Sequence, residues 1–360
     1  MTNKDIYCKL PFEGYCVRPS GKHAPCYGIS NNIELEHHEL IDDYFNSPLI
    51  KYMQQEMASE RIPMKTCHEC VEKEAQGVES QRERWELSRT LAGPNIPFFP
   101  EKLRYLDISF SNTCNMSCIM CSNQFSSSWN KITKQMPRDI LDIVDMPREF
   151  THSISYEEID SILNRSSHLI SMAIKGGEPL YDKRCLYFLE RLADINPEVQ
   201  LKIISNISVI REDILSVLRK FPNLTLHASV DGIGKTYEYV RGYSYEKIEE
   251  NFDSLLRYDI PAEIMFCVSA YNLRVLQETH NRFMELGSKS VVVIVANNPY
   301  LHFRHLGQDI VEPLLQELDL VQPLRAGKFS YPTPAEEEQF KKYTAFMNKI
   351  RGFNWEDIYQ

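Results

Sequence analysis

Residues 114–121 read Cys114-Asn-Met-Ser-Cys118-Ile-Met-Cys121, and this stretch decides how the rest of the sequence is interpreted. It follows a predicted strand over residues 103–110. Thiolates are the usual ligands of iron–sulfur clusters, and three of them on one loop can hold three irons of a four-iron cluster. The fourth iron can then bind the amine and carboxylate of an amino acid. A zinc knuckle or three structural thiols would be the alternative.

Outward from this loop, strand patterns alternate with helical patterns. Strands are predicted at 103–110, 169–175, 199–205, 224–230, 263–270 and 290–296. Helices are predicted at 42–58 and 71–90 in the N-terminal part of the chain, and between the strands at 156–164, 183–194, 212–220, 245–258 and 273–286, with two more at 310–320 and 335–350. This alternation predicts an α/β fold with a parallel sheet and right-handed crossovers. Six such units would form a partial (βα)6 parallel barrel, whose chemistry lies at the carboxyl ends of the strands.

Polar motifs follow the next three predicted strands. The second strand ends in Lys175-Gly176-Gly177-Glu178-Pro179. Two glycines let the backbone approach a ligand closely, and the Glu178 carboxylate suits a protonated amine. The third strand ends in Ser205-Asn206, and the fourth in Ser229-Val-Asp231-Gly232, whose side chains could bond ribose hydroxyls. Taken alone, each of these strings is more often a plain turn.

The CxxxCxxC spacing resembles the radical S-adenosylmethionine (SAM) superfamily. The resemblance implies a [4Fe–4S] cluster on Cys114, Cys118 and Cys121, with SAM on its open iron. It also implies that Gly176, Gly177 and Glu178 contact the methionyl amine of SAM. Met120 stands where many members place an aromatic residue near the adenine, and a flexible methionine can fill that position.

Arg241, in Val240-Arg241-Gly242, resembles an arginine that reaches the SAM carboxylate in cluster-bearing relatives. A guanidinium suits bidentate binding of a carboxylate. A solvated surface arginine is the alternative.

The N-terminal part of the chain is rich in cysteine. Half of the ten cysteines lie in the first 70 residues, and such crowding in a chain without a signal peptide favours metal binding over disulfides. Cys8, Cys26, Cys67 and Cys70 resemble the cysteines of a twitch domain, the shorter relative of the SPASM domain. This resemblance implies an auxiliary [4Fe–4S] cluster, and tetrahedral zinc is the alternative. In most relatives this domain follows the barrel, whereas here it precedes it.

The remaining cysteines are interpreted as core residues. Cys16 is predicted within a strand of a hairpin, and Cys185 on a helix. Cys267 is predicted on the fifth strand, where an inward thiol could alternatively donate a hydrogen atom to a substrate radical.

Composition and charge limit the partners. The chain has 360 residues and a formal net charge of −10, which argues against nucleic acid as the main substrate. No apolar run is long enough to cross a bilayer, and no signal peptide is recognisable, so we expect a cytoplasmic protein. Three domains are predicted: a twitch-like domain at 1–95, the barrel at 96–300 and a helical extension at 301–360, with the first boundary in the proline-rich segment 92–100.

Three functions are compatible with these motifs. The resemblance implies reductive cleavage of SAM to a 5′-deoxyadenosyl radical, which abstracts a hydrogen atom from a peptide substrate. Oxidation of a small molecule such as a sugar alcohol is the alternative reaction. Either enzyme would need a reductant protein such as flavodoxin or ferredoxin. A non-catalytic iron–sulfur electron carrier would be the third possibility, and the Gly-Gly-Glu-Pro and ribose-type motifs argue against it.

Overall fold

The computed structural model describes residues 7–29, 33–93, 102–296, 298–317 and 330–359. The strands are β1 (Gly14–Val17), β2 (His23–Ala24), β3 (Tyr105–Ile108), β4 (Ser171–Ile174), β5 (Gln200–Ser205), β6 (Leu224–Ser229), β7 (Ala262–Val268) and β8 (Val291–Val295). The α-helices are α1 (Leu10–Glu13), α2 (Ile41–Asn46), α3 (Pro48–Ala58), α4 (Met64–Ala75), α5 (Gln81–Ala92), α6 (Trp129–Gln135), α7 (Arg138–Val144), α8 (Tyr156–Leu163), α9 (Lys183–Ile195), α10 (Glu212–Leu218), α11 (Gly234–Arg241), α12 (Tyr245–Arg257), α13 (Leu276–Leu286), α14 (Gln308–Glu317) and α15 (Pro334–Arg351).

All six predicted strands are present, as β3 to β8. They belong to a mostly parallel sheet with the order β2-β1-β3-β4-β5-β6-β7-β8, which confirms the α/β class. β1 pairs with β3 in parallel, with Gly14 opposite Tyr105, and β2 is antiparallel to β1. The cysteine-rich N-terminal segment therefore supplies two strands that the six-strand prediction did not include. The partial barrel and the separate N-terminal domain stay predictions.

Two long N-terminal helices were predicted wrongly as continuous. The one expected over 42–58 is two helices, α2 and α3, which are separated by Ser47. Ser47 is extended because the ring of Pro48 disfavours a helical conformation in the preceding residue. The helix expected over 71–90 is likewise divided into two helices, α4 and α5. Gly77 has a φ of 70°, and Ser80 begins α5 with a capping box to Glu83.

The helices downstream mostly follow the prediction. α8, α9, α10, α12 and α13 lie within or close to the predicted ranges, although residues 273–275 form a short 3-10 helix before α13. α14 ends at Glu317, and the rest of the predicted 310–320 helix lies outside the described residues. α6, α7 and α11 were not predicted. Among the described residues, no helix combines the length and the apolar character needed to cross a membrane.

The chain divides into two compact units that interleave along the sequence. Unit 1 contains residues 1–111, 152–203 and 216–224, and unit 2 contains 112–151, 204–215 and 225–360. The predicted boundaries at 95/96 and 300/301 stay predictions. Residues 94–101, which include most of the proline-rich segment, lie outside the described residues.

A buried carboxylate lies in the core of unit 1. Glu13, at the end of α1, is fully buried and accepts hydrogen bonds from Arg89 Nη1 at 2.6 and 2.7 Å and from Trp85 Nε1 at 3.0 Å. Arg104 Nε lies 3.6 Å from the same carboxylate. A buried charge is tolerated only when it is paired and hydrogen-bonded, so these contacts join α1 to α5.

Candidate functional site

The three-cysteine loop lies in unit 2, directly after β3. Cys118 is buried, and Cys114 and Cys121 are half-buried. Burial raises the pKa of the Cys121 thiol well above its ordinary value, and the neighbouring Cys118 and Cys114 raise it further. Three neighbouring cysteines of this kind can hold a metal cluster as thiolates, because the metal compensates their negative charge.

Side chains at the end of this loop satisfy its backbone. Ser128 Oγ donates to the carbonyl of Cys114 at 2.8 Å, and Ser127 Oγ accepts from the Cys114 N–H at 3.2 Å. Trp129 Nε1, at the start of α6, donates to the carbonyl of Cys118 at 3.0 Å. The Ile119 N–H donates to the carbonyl of Val240 on α11 at 2.9 Å.

The C-terminal helix α15 also holds the loop, which the sequence did not suggest. Tyr343 Oη donates to the carbonyl of Ile119 at 2.6 Å. Arg351 Nη2 donates to the carbonyl of Ser117 at 2.6 Å, and its Nε donates to the carbonyl of Tyr239 at 2.7 Å. Neither residue belongs to a short motif, so only the fold could reveal this role.

The residues after β5 contact the loop as well. Asn206 Nδ2 lies 3.8 Å from Cys114 Sγ and donates to Asn115 Oδ1 at 3.2 Å. Ser205 Oγ accepts from the N–H of Ile207 at 2.9 Å. Ile207 has a φ of 48°, which is unusual for a β-branched residue and which strains the backbone where β5 ends. The predicted contacts of Ser205 and Asn206 with ribose stay predictions.

Arg241 and Asp231 form a buried pair beside Cys118. Arg241 Nε lies 2.5 Å from Asp231 Oδ2, and Arg241 Nη1 donates to Cys118 Sγ at 3.5 Å. Asp231 Oδ1 also accepts from the Cys267 N–H at 2.6 Å. Burial lowers the pKa of Arg241, but Asp231 and Cys118 more than offset this and raise it. The guanidinium therefore places a fixed positive charge beside a cluster thiol. Its predicted contact with the SAM carboxylate, and that of Asp231 with ribose, stay predictions.

Met120 and Ser229 complete the predicted SAM-binding residues of unit 2. Met120 is partly buried and packs on the apolar cluster that contains Ile119 and Trp129. Ser229 is buried at the last position of β6, opposite Met265 of β7.

The Gly-Gly-Glu-Pro loop follows β4 in unit 1. Gly176 and Gly177 have φ values of 80° and 60°, which favour glycine. A Cβ on Gly176 would collide with Ser109 Oγ, so the backbone there passes close to β3. Glu178 is buried, and its Oε1 accepts from the N–H of Leu180 at 3.0 Å.

The four predicted auxiliary cysteines line one cavity in unit 1. Cys8, Cys26, Cys67 and Cys70 lie around it, among mainly apolar neighbours such as Leu10, Ile29 and Met53. Cys67 and Cys70 lie on α4, three residues apart and thus on one face of the helix. Burial raises the pKa of Cys8 and of Cys26, and the other thiols of the set raise both further.

The three cysteines interpreted as core residues do not line this cavity. Cys16 is fully buried on β1, and Cys185 is buried on α9, as predicted. Cys267 lies on β7, where burial raises the pKa of its thiol to about 12.

Comparison with known proteins identifies the domain that carries the cysteine loop. Residues 108–286 match the family described as the radical SAM superfamily, so the chain contains a radical SAM domain, and proteins of this superfamily are enzymes. No curated protein matches the chain.

Solved structures of radical SAM enzymes are similar to the chain at low identity. Native anSMEcpe with bound AdoMet is 19% identical, with a TM-score of 0.43 over 70% of this chain and 63% of that one. SuiB of Streptococcus suis bound to its precursor peptide SuiA is 13% identical, with a TM-score of 0.43 over 96% and 70%. The chain thus spans less than two thirds of the length of anSMEcpe.

Replacement of Arg351 tests how α15 holds the cysteine loop. We expect Arg351→Lys to lower the free energy of unfolding by about 2–4 kcal/mol, because a single ammonium nitrogen cannot take the places of both Nε and Nη2 of the guanidinium. Urea unfolding followed by tryptophan fluorescence measures the change. Arg257→Lys, at an exposed ion pair with Asp253, should change it by less than about 0.5 kcal/mol. Equal effects of the two replacements would contradict this role of α15.

Proposed function

We propose that this chain is a radical SAM enzyme that abstracts a hydrogen atom from a peptide substrate. The observation that carries the proposal is the loop of Cys114, Cys118 and Cys121, with the Arg241 guanidinium and the Asn206 amide directed at two of its sulfur atoms. When bound, a reduced [4Fe–4S] cluster supplies the electron that cleaves SAM to methionine and a 5′-deoxyadenosyl radical. The donor set fits this cluster, because thiolates stabilised by a cation and by N–H donors are its usual ligands.

The chain's own residues would position SAM and keep it from water. Gly176 and Gly177 turn the backbone so that its carbonyls can accept from the methionyl amine, and Glu178 adds a negative charge. Met120 offers a flexible apolar surface for the adenine. Ser205, Asn206, Ser229 and Asp231 stand at the ends of neighbouring strands, where ribose would bind. Arg241 would reach the SAM carboxylate with the nitrogen atoms that Asp231 leaves available.

The auxiliary cysteines are compatible with a peptide substrate. Cys8, Cys26, Cys67 and Cys70 resemble the set that holds auxiliary clusters in peptide-modifying and dehydrogenating radical SAM enzymes, and they share one cavity. Four thiols around an apolar cavity fit a four-iron cluster with complete protein coordination, which could take up the electron of a substrate radical. A flavodoxin or ferredoxin would supply the first electron. A short precursor peptide encoded beside the gene would favour the peptide reaction over oxidation of a small molecule.

The cleavage of SAM separates an enzyme from an electron carrier. With dithionite and SAM under argon, the reconstituted chain should release 5′-deoxyadenosine, which chromatography detects. Cys118→Ala should abolish this release because it removes a cluster ligand. Cys185→Ala, at a buried cysteine of α9, should retain it. Fully iron-loaded protein that releases no 5′-deoxyadenosine would leave only the electron-carrier interpretation.

A pair of glycine replacements tests the SAM-binding loop. Gly176→Ala should greatly weaken SAM binding in a calorimetric titration, because the new Cβ collides with Ser109 and displaces the loop. Gly307→Ala is the matched control. Its φ of 85° imposes a similar backbone strain, but no atom lies within 4 Å of the added Cβ. If both variants bind SAM like the unmodified chain, the Gly-Gly-Glu-Pro loop is not part of the site.

Metal content tests the auxiliary cluster. Two four-iron clusters would give about eight irons per chain after anaerobic reconstitution. The double replacement Cys67→Ala and Cys70→Ala should remove about half of them and leave 5′-deoxyadenosine release measurable. If the unmodified chain instead holds four irons and one zinc, and the double variant loses the zinc, the N-terminal site is a zinc module.

A further inference from the structure

Two histidines and a glutamate converge in unit 1, in a group separate from the four auxiliary cysteines. His23 lies on β2, His37 follows in the segment after that strand, and Glu158 lies in the first turn of α8. One possible ligand atom from each of the three residues lies within 4.8 Å of the other two. None of these residues belongs to the SAM motifs or to the auxiliary set.

One carboxylate oxygen of Glu158 is buried without a hydrogen-bond partner. The residue is only 1% exposed, and Oε1 receives no hydrogen bond although His23 Nε2 lies 3.2 Å away. Burial raises the pKa of the Glu158 carboxyl and lowers that of the His23 imidazole. A buried carboxylate in this position is stabilised by a bound cation.

His37 is oriented as a metal ligand. Its Nδ1 lies 2.9 Å from the carbonyl oxygen of Gly21. A carbonyl oxygen only accepts, so Nδ1 carries the proton and Nε2 presents a lone pair. Histidines that bind metals usually donate their other N–H to a carbonyl or carboxylate in this way. His37 is also exposed, which leaves a path for an ion from solvent.

We propose that His23, His37 and Glu158 bind a zinc ion. Two imidazoles and one carboxylate form a common three-ligand zinc set, with water in the fourth position. Two ligands about 2.0 Å from a tetrahedral ion stand about 3.3 Å apart, and the 3.2 Å between His23 Nε2 and Glu158 Oε1 matches this spacing. All three ligand atoms lie within 4.8 Å of one another, so a small shift of the exposed His37 side chain completes the set.

Zinc binding requires a definite tautomer of His23. With zinc on Nε2, the ring proton must lie on Nδ1, where Tyr15 Oη, 3.0 Å away, can accept it. The 3.2 Å hydrogen bond from the His38 N–H to Nδ1 is then given up. Tyr15 is fully buried and thus supports the metal-bound ring from behind. The ion would tie the β1–β2 hairpin to α8.

The test measures zinc in the full-length chain after anaerobic iron loading. The protein is incubated with excess zinc sulfate and desalted, and both metals are quantified by plasma emission. We expect the unmodified protein to hold one more zinc ion per chain than His37→Ala or Glu158→Gln. All three proteins should hold the same amount of iron. Zinc bound in the cysteine cavity would persist in both variants. A zinc module at the cysteines can therefore be distinguished from zinc at the histidine site.

Two further measurements complete the test. Zinc should raise the melting temperature of the unmodified chain and of the control His38→Ala, and should not raise that of His37→Ala. Tyr15→Phe should weaken zinc binding about 10-fold in a chelator competition, as loss of an outer partner does. Equal zinc in the unmodified chain and in His37→Ala would overturn the proposal, and this exposed variant folds even if Glu158→Gln does not. Zinc affinity unchanged by Glu158→Gln would overturn it as well.

Discussion

The cysteine loop of unit 2 must satisfy the hydrogen-bonding groups of its own backbone, and much of unit 2 is arranged to do so. The loop is partly buried and forms no helix or strand between β3 and α6, so only some of its backbone groups pair within the loop, such as the Cys121 N–H with the Cys118 carbonyl at 3.0 Å. Buried carbonyl and N–H groups without partners cost several kcal/mol in total. Serines 126–128 and Trp129 supply partners from one side, and Tyr343 and Arg351 from α15 supply them from another. The position of the thiols therefore depends on residues more than 200 positions away in sequence.

Compensation of buried charge is the second theme of the molecule. Beside the cysteine loop, Arg241 is paired with Asp231 and also donates to the Cys118 thiol. The cysteine cavity of unit 1 has mainly apolar walls, and burial raises the pKa of the Cys8, Cys26 and Cys67 thiols. Glu13 meets the same requirement with protein groups alone, through Arg89 and Trp85. At the cysteine loop and at Glu13 the chain supplies positive charge from its own arginines, whereas the cysteine cavity would need a bound metal ion.

The sequence predicted the repeated strands well and the connections less well. Six strand patterns were recognisable because buried parallel strands are short, apolar and bounded by turns. The breaks at Ser47 and near Gly77 were not predicted, because the helical spacing of apolar residues continues across both of them. Only Pro48 and the capping box of Ser80 with Glu83 mark these breaks in the sequence. The pairing of β1 with β3 was not predictable, because two-strand contacts far apart in sequence leave no local signal. The same holds for Arg351, which has no motif around it.

The parallel pairing of β1 with β3 sets an order for events during synthesis. β1 is made about 90 residues before its partner strand, which at roughly 5–20 residues per second is a delay of several seconds or more. Throughout that interval Cys8, Cys16 and Cys26 emerge without the sheet that later encloses them. If the metal sites folded as soon as their residues were made, they could bind whichever metal ion was present at that moment. Because β1 pairs with β3, the sheet to which Cys16 belongs can form only after residues 105–108 have been made, so metal insertion at the proposed N-terminal site would follow the synthesis of β3.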